Sequence, residues 1–141
     1  LRHLVQKKKI KVYAFVIMPN HIHFIWELLE SNGKEMPHAS FMKYTAHQFQ
    51  KKLRTENPDY LEVFRVNKIT RDYQFWQRNA LPIILFSKNV MMQKLNYIHN
   101  NPLQKHWNLA ENPEDYYYST AAYYKNGLEN FDFISHIGNW F

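Results

Sequence analysis

The chain has no cysteine and only three glycines, and no apolar run in its 141 residues approaches the roughly 20 needed to span a bilayer. Each shortage excludes something. Without thiols there is no disulfide, no thiolate metal site and no cysteine nucleophile, so any metal ion must be held by nitrogen and oxygen donors. The same lack favours a reducing, cytoplasmic setting. With 45% hydrophobic residues and so few glycines, the composition is that of a packed globule and not of a low-complexity chain. At this length the expectation is a single domain, residues 1–141, without membrane association. Nothing resembles a signal peptide. Leu1, Leu4 and Val5 are spaced like the apolar side of a helix whose start is absent, so the chain reads as a fragment or a trimmed chain.

Acidic residues are also scarce, 12 against 18 lysines and arginines, which leaves a formal charge of +6. Lysines cluster at Lys7, Lys8, Lys9 and Lys11, and basic residues again at Lys51, Lys52 and Arg54. Such a balance suits polyanions. Aromatic residues make up 17% of the chain, and cations interleaved with flat rings fit unpaired nucleotides, whose phosphates need charge and whose bases need stacking surfaces. A solvated basic face over an aromatic core has the same composition.

Periodicity predicts an α+β order. Two β-branched and aromatic stretches, Lys11 to Ile17 and His21 to Leu28, flank Pro19 and Asn20 and read as a hairpin. Pro37 and Ser40 mark the start of a helix to about Leu53, with Met42, Ala46, Phe49 and Leu53 toward the core and Lys43, His47, Gln50 and Arg54 on a basic flank. Tyr73 to Gln77 reads as a strand, and Leu81 to Phe86 as an edge strand, because Pro82 cannot donate a ladder hydrogen bond. Ser87 caps a helix from Lys88 to about Asn101, closed by Pro102. A short helix near Ser119 to Tyr124 follows.

Two constellations carry chemistry. His21 and His23 are two apart, so on a strand they project from one face and can share a divalent cation, with Ile22 pointing back to the core. On the later helix Met91, Leu95 and Ile98 form the apolar stripe, which leaves Tyr97 off it beside Lys94 and Asn101. Tyr97 and Asn101 are four apart and share a face, so an oxygen donor one turn beyond a nucleophile could complete a metal site. A phenol attacks phosphorus poorly while protonated and needs a cation or base nearby. Surface histidines on a hairpin and a packing tyrosine are the plainer readings of the same residues.

Beyond these pairs, Tyr13 to Trp26, YAFVIMPNHIHFIW, resembles the histidine-hydrophobic-histidine signature of the insertion sequence 200-like transposases, especially the REP-associated tyrosine transposases. Asn96 to Pro102, NYIHNNP, resembles that family's nucleophile helix, and Tyr73 to Arg78, YQFWQR, the strand between, all in family order. The resemblance implies a ferredoxin-like antiparallel sheet with helices packed on one face, here lacking the family's first strand. It implies metal-binding at His21 and His23, with Asn101 as a further ligand, Tyr97 as nucleophile, and magnesium or manganese as the ion. The implied activity is cleavage and strand transfer of single-stranded DNA beside hairpins through a 5′-phosphotyrosine, in the cytoplasm with the nucleoid, by a monomer or homodimer. Candidate DNA contacts are Arg78, Lys43 and Arg54, with Trp76 as a stacking ring. The alternatives are a hairpin-binding protein without catalysis, as a domesticated transposase would be, and a metallonuclease that uses activated water.

Overall fold

The computed structural model describes residues 1–77 and 80–141, and it turns the two β-branched and aromatic stretches near the start of the chain into a hairpin. In chain order the elements are α1 (Arg2–Gln6), β1 (Ile10–Ile17), β2 (Ile22–Leu28), α2 (Pro37–Glu56), α3 (Pro58–Leu61), β3 (Arg65–Lys68), β4 (Arg71–Tyr73), α4 (Lys88–Asn100) and α5 (Ala121–Asn126). The α+β class expected from the sequence is the class observed. The chain forms two compact units, one from Leu1–Glu30 with Ile84–Phe141 and the other from Ser31–Ile83. None of the helices among the described residues is long and apolar enough to cross a membrane.

In the first unit β1 is buried along nearly its whole length, which a half-solvated strand would not be. One face meets α4, where Ala14, Val16, Met18 and Ile25 pack with Met91, Leu95 and Ile98. The Phe15 ring packs edge-on against Phe131 at 4.9 Å and stacks on Phe133 at 6.2 Å. Burying side chains of this size contributes about 1.5–3 kcal/mol each. β2 pairs antiparallel with one edge of β1. The other edge is taken up by C-terminal segments: Ile17 N–H donates to Tyr118 O at 2.8 Å, Thr120 N–H to Phe15 O at 3.0 Å and Ser135 N–H to Val12 O at 2.8 Å. Both edges of β1 are thus hydrogen-bonded, although β2 is its one full strand partner among the described residues.

The expected stripe of α4 is the buried one, Met91, Leu95 and Ile98, joined by His99. Ser87 caps the helix by accepting from Val90 N–H at 3.3 Å. At the far end Pro102 cannot continue the α-helical ladder, and the chain passes into a 3-10 turn, Asn101–Leu103. The expected inward direction of Ile22 is corrected: Ile22 is half-buried, and the buried residue of β2 is Ile25, two beyond His23 on the same face. α4 packs on the histidine face, so the core lies under that face and the histidines stand at its end.

In the second unit Pro37 occupies the first turn of α2, where its missing N–H costs nothing. Met42, Ala46 and Leu53 are half-buried and Phe49 is exposed by 42%, so the stripe is sheltered and not a closed core. The Trp76 indole N–H donates to Thr45 Oγ1 at 3.0 Å, and its ring lies 6.0 Å from Phe49. Two expected strands are corrected. Only Tyr73 of the stretch Tyr73 to Gln77 is in a strand, because Phe75 and Trp76 both pack on Phe49, and neighbouring residues of a strand would face opposite ways. Residues 81–86 form no strand. Pro82 has no N–H to give, and no described segment lies alongside to complete a ladder, leaving Leu81 and Ile84 exposed by 91% and 83%. The hairpin β3–β4 was not expected from the sequence.

Candidate functional site

The tip of the first hairpin is a tight connection through Pro19 and Asn20. Met18 N–H donates to the His21 carbonyl at 2.8 Å, which carries the ladder pairing one residue past the start of β2. His21 therefore precedes the strand yet keeps its register with His23. Their ring centroids are 5.0 Å apart at 79°. Two imidazoles on one cation, with metal–nitrogen bonds of about 2.1 Å and ligand angles of roughly 90–110°, place their centroids about 4.5–5.5 Å apart. The observed 5.0 Å separation lies within that range.

α4 brings Tyr97 to the same place. Its ring lies 5.7 Å from that of His23 at 75°, edge to face, while its position off the apolar stripe leaves the residue 51% exposed. The Tyr97 hydroxyl makes no hydrogen bond to any other described residue. Lys94, one turn earlier, sets its ammonium 5.8 Å from the centre of the Tyr97 ring. Burial, and then the neighbouring His21, lower the pKa of His23 and favour the neutral imidazole, the form that binds a metal.

Asn101 is buried at the end of α4. Its Nδ2 donates to the Tyr97 carbonyl at 2.9 Å, and its Oδ1 accepts a long bond from Gln104 at 3.4 Å. It thus stabilises the turn of helix that carries Tyr97. Among the described residues no group of three or more His, Asp or Glu side chains is placed to hold a metal ion, so an ion at the histidine pair would draw its other ligands from amides, phosphate or water.

Of the residues expected to contact nucleic acid, Lys43, Arg54 and Trp76 belong to the second unit. Lys43 pairs with Glu35 at 2.9 Å. Arg54 is exposed on α2 and, with His47, Gln50 and Lys51, lines an open depression. Trp76 is half-buried against Phe41 and Phe49. Arg78 lies outside the described residues.

Two neighbours of the site were not singled out by sequence reasoning. Asn20 Oδ1 is 2.6 Å from His21 Nδ1, and the Trp107 ring is 5.8 Å from the His21 ring. Asn20 could have been found, being adjacent to His21 in a turn. Trp107 could not, because its approach depends on the fold of the segment after Pro102. Comparison with family models, curated proteins and solved structures finds no match to this chain.

Proposed function

We propose that the chain is a metal-dependent, single-tyrosine transposase of the insertion sequence 200-like type, which nicks and rejoins single-stranded DNA beside hairpins. The observation that carries this reading is the meeting of three rings from two distant segments: His21 against His23 at 5.0 Å, and His23 against an exposed Tyr97 at 5.7 Å. A packing role for Tyr97 would not require its position off the stripe, and DNA binding alone would not require paired imidazoles. The β1–β2 hairpin with α4 on one face is compatible with such a site, which in a ferredoxin-like sheet would stand on a hairpin and a helix of this kind.

In this reading His21 and His23 would hold magnesium or manganese through imidazole nitrogens, with Asn101 as the further oxygen donor. The ion would withdraw charge from a non-bridging phosphate oxygen. Tyr97 Oη attacks phosphorus in line, forming the Oη–P bond and breaking P–O3′. The phenolic proton is lost, and the departing oxygen takes up a proton to become a free 3′-hydroxyl. The tyrosyl ester conserves the phosphodiester, so attack by a 3′-hydroxyl reseals the strand and returns the proton to Tyr97. Arg54 and Lys51 fit the phosphate backbone. The partner is single-stranded or hairpin DNA, and the reading accommodates a monomer or a homodimer at the nucleoid.

The test is cleavage of end-labelled hairpin DNA with manganese. Tyr97→Phe is expected to abolish cutting while leaving hairpin affinity nearly unchanged, and His23→Ala to remove metal-dependent cutting. Cleavage that persists in Tyr97→Phe would make activated water the nucleophile. Binding without cleavage by a folded wild-type chain would make the protein a binding module.

A further inference from the structure

We infer that Asn20 is a positioning residue of the histidine pair: its side-chain carbonyl holds His21 with Nδ1 protonated, which leaves the Nε2 lone pair to accept the cation. This rests on the metal reading above. Asn20 Oδ1 stands 2.6 Å from His21 Nδ1, and a carbonyl oxygen can only accept, so the ring nitrogen facing it carries the hydrogen. A neutral imidazole has one protonated nitrogen, so the other is the donor atom available to a metal. Metal-bound histidines commonly give their second N–H to a carbonyl or carboxylate, which sets the tautomer, orients the ring and strengthens the ligand; losing that partner costs about ten- to a hundred-fold in metal affinity.

The local structure suits this task. Asn20 and His21 are neighbours in the tip of the hairpin, and Pro19 restricts the backbone just before them. The Met18 N–H bond to the His21 carbonyl holds the base of the tip closed. Trp107, itself packed on the core, stands beside the His21 ring at 5.8 Å. His21 is thus restrained through Nδ1 and by an aromatic neighbour, whereas His23 is restrained by its own half-burial and by the Tyr97 ring. The two ligands differ in what orients them, and the turn asparagine serves only the first.

The test uses the full chain without metal, labelled with nitrogen-15 at histidine, and then manganese titration by electron paramagnetic resonance. His21 is expected to show the Nδ1-protonated tautomer. Asn20→Ala should shift it toward the Nε2-protonated form and weaken manganese binding about ten- to a hundred-fold. Asn20→Asp, which can accept but not donate, should restore both. An Nε2-protonated His21 in the wild-type chain would overturn the assignment. So would an Asn20→Ala chain with unchanged hairpin amide shifts, unchanged tautomer and unchanged affinity. A wild-type chain with the expected tautomer but no manganese binding would overturn the metal reading instead, and the two failures are separable.

Discussion

His99 is 7% exposed, and its Nε2 lies 2.9 Å from Thr120 Oγ1, the same hydroxyl that accepts the Phe15 N–H at 3.1 Å. Burial pushes the His99 pKa down to about 4 from an ordinary 6.5. The folded chain therefore takes up this proton less readily than the unfolded chain. Stability from a neutral His99 is complete above pH 6.5 and declines as pH falls toward 4, because the unfolded state protonates first. The loss at pH 5 is expected to be about 2 kcal/mol from this group. Urea unfolding at pH 7 and pH 5 checks it, and His99→Gln should reduce the difference between them. Thr120→Val keeps the shape but leaves the buried Phe15 N–H and His99 ring nitrogen without their partner. It is expected to cost about 1–3 kcal/mol at pH 7, also read by urea unfolding.

At the level of elements, legibility followed the completeness of the local signal. The hairpin and α4 were readable because alternation, the 3.6-residue stripe, Ser87 and Pro102 all agreed within each segment. Residues 81–86 were misread because strand propensity needs a partner and the sequence does not say whether one is present. The stretch after Tyr73 was misread because Phe75 and Trp76 share a packing partner on α2, a tertiary fact. For the site, the histidine pair was visible through period-2 spacing and Tyr97 through its offset from the stripe. Which face of β2 held the core was not visible, since Ile22, Phe24 and Ile25 are equally apolar. The contrast can be measured. Leu95→Ala, in the buried stripe, is expected to destabilise by about 2–5 kcal/mol. Ile84→Ser, 83% exposed, should change stability by less than about 0.5 kcal/mol. Thermal or denaturant unfolding of the two variants decides.

For the whole molecule, the excess of six positive charges sets the terms on which it meets a polyanion. If single-stranded DNA is the partner, the logarithm of the binding constant should fall linearly with the logarithm of salt concentration, by about 0.7 for each phosphate neutralised. Arg54→Ala should lower that slope by about 0.7 if Arg54 contacts a phosphate. A titration across salt concentrations checks both. If a phenol on α4 and two imidazoles on the hairpin act on one phosphate, the reacted protein carries DNA on that phenol. Digesting the protein after reaction with hairpin DNA and manganese, then locating the attached nucleotide by mass spectrometry, reads this out. A single phosphodiester adduct is expected, on Tyr97, absent from Tyr97→Phe and from His21→Ala. An adduct on another of the ten tyrosines, or DNA cut by the wild-type chain with no adduct at all, would contradict it.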